Sequence, residues 1–273
     1  MNNLDAPLYE TELFHLTENL QLLVRHHLRH KEGREIDTYG TNWLLIVTNI
    51  KKEGSLGLNR FGKQLTFHGP TAIFLPPHSL IEWSFTPGYY HWIAYRSDQQ
   101  SDTFPKEPVA FPWKSSYRIS CFHDIVHLFS SSPSLTPVGK QENFSTKAKS
   151  IKELIDQTFQ DERSIKELAR RQNLTNSEMS RIFKRCYSLT PLEYRNKLRV
   201  FYSLKLMMID QNKITDSALE SGFEEISSFQ RNFKKTFGLP PSSFLSKNDQ
   251  FSPFEQQEVC SLSQEDLYNE ITP

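Results

Sequence analysis

The stretch GFEEISSFQRNFKKTFGLPPSSF, which runs from Gly222 to Phe244, has a counterpart about fifty residues earlier, MSRIFKRCYSLTPLEY, from Met179 to Tyr194. The two segments align without gaps, and equivalent positions carry similar residue types. The aligned pairs are Met179 with Phe229, Arg181 with Arg231, Phe183 with Phe233, Lys184 with Lys234, Tyr187 with Phe237, Leu189 with Leu239, Pro191 with Pro241 and Tyr194 with Phe244. An internal repeat of this kind predicts one substructure that occurs twice.

Each copy of the repeat has the sequence pattern of two short helices joined by a tight turn. In the first copy, Ser164 and Thr175 are each followed three residues later by Glu, a capping box that marks the start of a helix. Asn173 lies between these two starts, and Asn tolerates the left-handed backbone conformation of a turn. Gly222 is its counterpart in the second copy, where the turn is one residue longer. The pattern predicts two helix-turn-helix motifs.

The second helix of each predicted motif carries polar residues on its outward face. Such a helix can enter the major groove of DNA, about 12 Å wide, where Arg binds guanine and Gln binds adenine through paired hydrogen bonds. Solvated charges without a DNA role are the alternative for the two arginines. We expect the base contacts to come from Asn176, Ser177, Ser180, Arg181, Ser227, Ser228, Gln230 and Arg231.

Basic residues in and beyond these helices suit the phosphate backbone, which sets affinity and register but not sequence. Residues of a solvated surface are the alternative for the lysines. Between the two motifs, residues 191–209 predict one amphipathic helix. A single helix of this kind would hold the two motifs about 34 Å apart, one turn of DNA. The phosphate-contacting candidates are Lys184, Arg185, Arg195, Lys234 and Lys235.

The zero net charge of the 273 residues hides an uneven distribution. Residues 1–143 hold 13 basic and 14 acidic side chains, residues 144–247 hold 19 and 12, and residues 248–273 hold none and 6. A basic middle segment suits an anionic partner such as double-stranded DNA. The acidic segment at the end is expected to be a poorly ordered tail.

Cysteine usage and the N-terminal residues predict a cytoplasmic protein. Cys121, Cys186 and Cys260 are far apart and odd in number, so they match neither a disulfide framework nor a C-x-x-C zinc pattern. The N-terminal MNNLDAPLYETELF lacks the basic and apolar regions of a signal peptide. The longest stretch without charged residues, 64–81, is interrupted by Gly and Pro. Because it is a poor transmembrane helix, we expect no membrane partner.

The chain before the repeat is β-rich. Between residues 40 and 98, short apolar or alternating runs such as NWLLIVTNI, QLTFHG, TAIFLPP, LIEWSF and YYHWIAYR predict a sandwich or barrel. A helix is predicted over Cys121–Ser130, and a Ser/Pro-rich linker follows it. The predicted domains are a β-rich domain at 1–130, a linker at 131–143, a helical DNA-binding domain at 144–247 and the tail at 248–273.

The segment 161–244 resembles the two-headed DNA-binding domain of transcription regulators of the AraC/XylS type. The resemblance rests on SIKELARRQNLT, MSRIFKR, PLEYRNKLR and ALESGFEEISSFQRNFKKTFGLPPSSF. In the last piece, GF followed by SxFxRxFKKxFGxxP is the specific signal. The sequence departs from the family at three positions. Ser188 and Asn173 stand where the family usually has Gly, and Ser217 stands where an apolar residue is usual.

The resemblance implies a two-domain α+β protein. Its N-terminal domain would be a cupin-like β-barrel with a flanking helix, serving as sensor and dimerisation domain, and TAIFLPPHSLIEW resembles the Pro-rich turn and His of such barrels. Its C-terminal domain would be all-α, with two helix-turn-helix units joined by a linker helix. The function implied is that of a bacterial transcription regulator without enzymatic activity or cofactor. Its partners would be DNA, a second copy of the chain, RNA polymerase, and a small-molecule effector or regulatory protein.

Aromatic residues of the β-rich segment are candidates for lining an effector pocket. A role in the barrel core is the alternative for the same side chains. The pocket candidates are Trp43, Phe74, His78, Trp83 and Trp92.

The rival function is that of a metal-dependent cupin-type enzyme fused to a helical module. Such an enzyme needs a metal cluster of the H-x-H type, and the sequence has no H-x-H. The segment HDIVH, His123–His127, puts two His residues on one helix face, as zinc helices of the H-E-x-x-H type do. However, Asp124 replaces the usual Glu, and no third ligand has a recognisable spacing. We therefore expect no metal site and an ordinary surface helix.

Overall fold

The computed structural model describes residues 8–47, 55–60, 63–67, 70–114, 117–131, 134–138, 145–208 and 210–248. Antiparallel strands dominate the described chain up to residue 138, and helices make up the chain from residue 145. The two-domain α+β organisation is thereby confirmed. The predicted acidic tail falls outside the described residues beyond position 248. Among the described helices, none is both long and apolar enough to cross a membrane.

The strands of the β-rich region include all five runs that the sequence predicted, which are β4 (Asn42–Val47), β6 (Lys63–Phe67), β7 (Thr71–Leu75), β8 (Ser79–Phe85) and β9 (Gly88–Ser97). The predicted helix is α1 (Phe122–Ser130), and it begins one residue after Cys121. The described elements of this region are β1 (Leu8–Thr17), β2 (Leu20–Arg29), β3 (Gly33–Tyr39), β4 (Asn42–Val47), β5 (Leu56–Arg60), β6 (Lys63–Phe67), β7 (Thr71–Leu75), β8 (Ser79–Phe85), β9 (Gly88–Ser97), β10 (Val109–Pro112), α1 (Phe122–Ser130) and β11 (Thr136–Pro137).

The strands form two antiparallel sheets. One has the order β1-β2-β9-β4-β7-β10-β11, and the other has the order β3-β8-β5-β6. The expected closed barrel is not confirmed, because the hydrogen-bonded ladders of the described residues belong to two separate sheets. Chain reversals such as Tyr39 to Asn42 pass from one sheet to the other, so the two sheets share a core without forming one continuous ladder.

Alternation along β7 divides the apolar interior into two layers. Ile73 and Leu75 belong to a cluster that includes residues of both sheets, whereas Ala72 and Phe74 belong to a cluster with α1. Successive strand residues point to opposite faces of a sheet, so a strand covered on both sides is apolar throughout. Every residue of β7 is accordingly buried.

The segment predicted as a linker contributes to the β-rich region. Its two-residue strand β11 pairs with β10, and Val138 is 1% exposed within the apolar core. The main-chain amide of Val138 donates to the carbonyl of Pro108 at 2.9 Å. The described end of this segment is therefore anchored to the sheet.

The helical region repeats one pair of helices on either side of a long helix. In agreement with the sequence, α3 and α6 begin 49 residues apart and α4 and α7 begin 50 residues apart, so the second turn is one residue longer. The helices are α2 (Thr146–Thr158), α3 (Ile165–Arg171), α4 (Asn176–Tyr187), α5 (Pro191–Met208), α6 (Ile214–Glu220), α7 (Ile226–Phe237) and α8 (Pro241–Asn248).

The second helix of each pair buries one stripe of large side chains. In both helices the buried residues are spaced four apart, which keeps them on one face. The opposite face is left to solvent. The buried residues are Met179, Phe183 and Tyr187 in α4, and Phe229, Phe233 and Phe237 in α7.

The two departures from the family's glycines keep the backbone that glycine would adopt. Asn173 has φ 55° and its counterpart Gly222 has φ 94°. Ser188, which ends α4, has φ 60°, and Gly238, which ends α7, has φ 79°. Equivalent positions of the two motifs therefore share a positive φ, and a side chain at Ser188 is held in a conformation that costs an L-residue about 1 kcal/mol.

Candidate nucleic-acid interface

The helix α4 begins with the capping box that the sequence predicted. Thr175 Oγ1 accepts from the amide of Glu178 at 3.2 Å, and Glu178 Oε2 accepts from the amide of Thr175 at 2.9 Å. These hydrogen bonds from Thr175 hold the pKa of Glu178 below its ordinary value. The first turn of α4 is therefore fixed by its own side chains.

The helix α7 begins differently. Its N-cap is Glu225, whose side chain makes no capping hydrogen bond to the helix. Instead, Ser227 Oγ donates to the Glu225 carboxylate at 3.3 Å. The two candidate reading helices thus share an interior pattern but differ at the end that would approach base edges.

The predicted base-contacting side chains share one outward surface on each helix. Arg181 and Arg231 hold equivalent exposed positions, two residues after the first buried residue of α4 and α7. Of the full set, Ser180 and Ser228 are half-buried, and Asn176, Ser177, Arg181, Ser227, Gln230 and Arg231 are exposed.

Four of the five predicted phosphate contacts lie exposed in the last turns of the same helices. They are Lys184 and Arg185 in α4, and Lys234 and Lys235 in α7. Their positions leave the ammonium and guanidinium groups free of the packed interior. The two helices therefore present matched basic ends.

Arg195 has a different position from the other phosphate candidates. It is 6% exposed, and its Nη1 donates to the main-chain carbonyl of Arg163 at 2.5 Å. Burial lowers the pKa of its guanidinium. Because this geometry orients the guanidinium group toward the protein interior, Arg195 is poorly placed to contact a phosphate.

Arg199, one turn further along α5, was missed from the sequence. Its Nε donates to the carbonyl of Phe159 at 2.5 Å, and its Nη2 donates to the carbonyl of Asp161 at 2.7 Å. These carbonyls follow α2, where a helix end leaves acceptors without partners. Burial, reinforced by the charge of Arg195, lowers the pKa of Arg199 to about 10, so it stays protonated near neutral pH.

The turn of the second motif packs against the place where Arg199 caps the end of α2. A Cβ atom at Gly222 would lie 2.5 Å from the carbonyl oxygen of Gln160 and 2.9 Å from Arg199 Nε. Glycine is therefore required here by close approach as well as by its positive φ. The end of α2, the middle of α5 and the turn of the second motif therefore meet at this point.

The long helix α5 also connects the helical region to the β-rich region. Phe201 packs against Tyr39 and Trp43 of the sheets, with ring centroids 5.5 and 6.0 Å away, and against Phe237 of α7 at 5.5 Å. Lys197 Nζ lies 2.9 Å from the Asp37 carboxylate on β3. The last turn of a candidate reading helix is thus in contact, through Phe201, with the β-rich core.

A cavity opens at this junction. It has about 630 Å³ of empty space, counted to its open mouth. Half of its fourteen lining residues are aromatic, and residues of β2, β3, β4, β8, β9, α5 and α7 contribute to it. The lining residues are Leu23, Arg25, Glu35, Asp37, Tyr39, Trp43, Leu45, Trp83, Phe85, Trp92, Ala94, Phe201, Thr236 and Phe237.

The structure brings three of the five pocket candidates together around this cavity. Trp43, Trp83 and Trp92 line it, and the rings of Trp83 and Trp92 meet edge to face at 5.2 Å. Phe74 points to the other face of the large sheet, where its ring lies 4.8 Å from that of Phe129. His78 lies elsewhere and is not among the lining residues.

His78 instead faces the helical region. Its Nδ1 is 3.6 Å from the carboxylate of Asp156 on α2, which also accepts from the hydroxyl of Tyr194 at 2.6 Å. Burial lowers the pKa of His78, although the Asp156 charge opposes this shift. The side chain is part of the contact between the two regions.

The two histidines of the HDIVH segment lie on the exposed side of α1, whereas Ile125 between them is buried. His123 and His127 are exposed, whereas Asp124 caps the helix by accepting from the amide of Cys121 at 2.9 Å. Within the residues that the structure describes, there is no group of three or more His, Cys, Asp or Glu side chains that could hold a metal ion. The Asp of this segment therefore serves the helix start.

Comparison with known sequences places the match in the helical region. A family model described as a helix-turn-helix domain matches residues 168–247. The lactose operon transcription activator of Staphylococcus xylosus is 24% identical over 92 residues, covering 34% of this chain and 33% of that protein. The msm operon regulatory protein of Streptococcus mutans is 28% identical over 107 residues, 38% of each chain. This chain thus matches about a third of the length of these curated relatives.

Comparison with solved structures extends the likeness in fold to most of the chain. The crystal structure of ToxT from Vibrio cholerae O395 superposes with a TM-score of 0.53 over 89% of this chain and 99% of that one, at 14% identity. Both regions of this chain therefore have a ToxT-like arrangement. The repeated motif and the matched family model together identify residues 168–247 as a helix-turn-helix domain.

Proposed function

We propose that this chain is a sequence-specific DNA-binding transcription regulator. The observation that carries the proposal is the pair of matched helices α4 and α7, which expose Arg181 and Arg231 at equivalent positions above equivalent buried stripes. Both helices contact the long helix α5, which therefore supports them together. A fixed pair of reading helices suits two successive major grooves of one duplex.

Base recognition in this proposal is unequal between the two motifs. The second motif offers Gln230 and Arg231, which can bind adenine and guanine through paired hydrogen bonds. The first offers Arg181 among small polar side chains, so fewer of its contacts discriminate bases. Phosphate contacts come from the exposed basic residues at the ends of α4 and α7. Because they release counterions from DNA, affinity should fall steeply with salt.

The β-rich region acts as the sensor in this proposal. Its core continues into α5 and α7 through Phe201, and a cavity lies at that junction. Occupancy of the cavity by a small molecule would act on the DNA-reading helix directly. A cytoplasmic bacterial homodimer that contacts RNA polymerase is the form that the family resemblance favours, with a cupin-like sensor and no enzymatic activity.

The test is selection of DNA ligands from a pool of randomised duplexes with the full-length protein. We expect enrichment of one motif with two recognition segments about one helical turn, roughly 10 base pairs, apart. The better-defined segment should be the one contacted by the second motif. Recovery of unrelated sequences by folded protein, with binding that depends on salt alone, would contradict sequence-specific recognition.

A further inference from the structure

We propose that the cavity at the junction binds a flat, uncharged organic molecule that carries hydrogen-bond acceptors. The proposal rests on the sensor role proposed above and names the class of molecule that the sensor takes. It is carried by the chemistry of the lining side chains.

The walls of the cavity suit a flat apolar body. Trp92 meets Trp83 edge to face at 5.2 Å and Phe85 at 6.3 Å, and Phe201 and Phe237 close the side that faces α5 and α7. Aromatic walls favour stacked or edge-to-face contact with a ring.

Two of the tryptophans that line the cavity have a buried indole N–H group without a hydrogen-bond acceptor. The indole N–H groups of Trp43 and Trp92 are buried, and neither finds a hydrogen-bond partner among the described residues. Trp83 differs, because its side chain hydrogen-bonds with Tyr39. Buried polar groups in proteins are almost always paired, and an indole N–H can only donate. The missing partner must therefore be an acceptor.

The lining carboxylates already have cationic partners. Glu35 is paired with Arg29, and Asp37 is paired with Lys197 at 2.9 Å. A cationic ligand would therefore have to compete with a built-in ion pair. Arg25 also lines the cavity, with its guanidinium 5.9 Å from the centroid of the Phe237 ring. For this reason an anionic ligand is the alternative that the experiment must separate.

The bound molecule would touch the DNA-reading part of the chain. Thr236 and Phe237 line the cavity and belong to the last turn of α7. Phe237 also packs against Phe233 inside the second motif, with ring centroids 4.7 Å apart. A ligand between these residues and the sheet would set the position of α7 relative to the β-rich region.

The experiment uses four probes that share one ring system. The full-length protein with ¹⁵N-labelled tryptophan is titrated with 1-indanone, indane, indane-1-carboxylate and 1-aminoindane, and the indole N–H resonances are followed. We expect 1-indanone to shift Trp43 and Trp92 and to bind about 2- to 10-fold more tightly than indane, as one hydrogen bond predicts. Trp113, which lies in the other apolar cluster, is the internal control and should not move.

Each other outcome would overturn the proposal. Equal binding of 1-indanone and indane would remove the role of the indole donors, and tighter binding of the carboxylate or the amine would assign a charged ligand. Absence of binding by all four probes would mean that water alone fills the cavity. These comparisons use wild-type protein, so they stand even if a variant fails to fold.

Variants then assign the donor. Trp92→Phe should weaken 1-indanone binding about 2- to 10-fold more than it weakens indane binding, whereas Trp113→Phe should change neither. Unchanged 1-indanone binding by both Trp92→Phe and Trp43→Phe would overturn the assignment. DNA selection with the same preparation keeps the two proposals apart, because a failure to select DNA would leave the indole titration intact.

Discussion

Lys197 on the long helix α5 lies 2.9 Å from the carboxylate of Asp37 on β3, and this ion pair joins the helical region to the β-rich region. Both side chains are about a fifth exposed, at 20% and 23%, so solvent screens the pair less than it screens a surface ion pair. The pair lies next to Phe201 and the cavity. A conformational change caused by a ligand would have to be transmitted there from the β-rich region to the helical region.

A double-mutant cycle measures this connection. We expect Lys197→Met and Asp37→Asn to show a coupling of about 1 kcal/mol in the free energy of unfolding, at the upper end for exposed pairs. The control is the pair of Arg34 and Glu82, which are 3.6 Å apart with Arg34 74% exposed, and its coupling should be close to zero. Equal coupling in both pairs would show that the Lys197 contact has no special role.

The strained turn after α4 predicts a stabilising substitution. Ser188 has φ 60°, so Ser188→Gly should raise the free energy of unfolding by about 1 kcal/mol. The equivalent position of the second motif supplies the control, because Gly238→Ser should lower it by a similar amount. Urea denaturation of the three proteins measures both changes. A loss of stability in Ser188→Gly would contradict the conformation given for this turn.

The close approach at Gly222 predicts a destabilising substitution. A Cβ atom there would lie 2.5 Å from the Gln160 carbonyl oxygen, and alanine would also have to adopt φ +94°. Gly222→Ala should therefore lower the free energy of unfolding by about 2–4 kcal/mol. Gly40 is the matched control, since no atom lies within 4 Å of the place that a Cβ would take there, and Gly40→Ala should change stability by less than about 0.5 kcal/mol. If Gly222→Ala and Gly40→Ala both unfold at the same temperature as the wild type, the close contact between Gly222 and the Gln160 carbonyl is absent.

The capping boxes predict a local dependence on pH. Hydrogen bonds from Ser164, Thr175 and Thr190 lower the folded-state pKa of Glu167, Glu178 and Glu193. Their stabilisation is therefore complete above the unfolded pKa, about 4.3, and is lost as pH falls through the lower folded values.

Amide hydrogen exchange across the acid range, from about pH 6 to about pH 3, checks this expectation. The first turns of α3, α4 and α5 should lose protection as the pH falls, whereas the first turn of α7, which has no side-chain cap, should change less. Glu178→Gln keeps an acceptor for the amide of Thr175 and should flatten the response of α4 alone. Parallel loss in all four helices would indicate global acid unfolding instead of cap loss.

Local features were the ones that the sequence predicted well. The capping boxes at Ser164 and Thr175, the turn at Asn173 and the longer second turn are all confirmed, because each depends on residues within one turn of chain. β1, β2 and β3 went unpredicted. In β3, GREIDTY, polar residues occupy neighbouring positions, so no period-2 alternation marks it as a strand.

Contacts between distant residues could not be predicted. Arg199 is 40 residues from the Phe159 carbonyl that it caps, and nothing local marks it as different from the exposed basic residues. Phe74 was misplaced because β7 is buried on both faces, so its alternation does not reveal which side faces the cavity. The burial of Val138 was not predicted, because this residue lies in a Ser/Pro-rich run whose composition indicates a linker.

Base recognition by the second motif depends most directly on Arg231. The decisive measurement compares the affinity of full-length wild type, Arg231→Ala and Lys235→Ala for the selected duplex and for an unrelated duplex, at fixed salt. Arg231→Ala should lose about 1–3 kcal/mol on the selected duplex, confined to one base pair, and little on the unrelated one, whereas Lys235→Ala should weaken both equally. An equal loss on both duplexes with Arg231→Ala would contradict base recognition by the second motif.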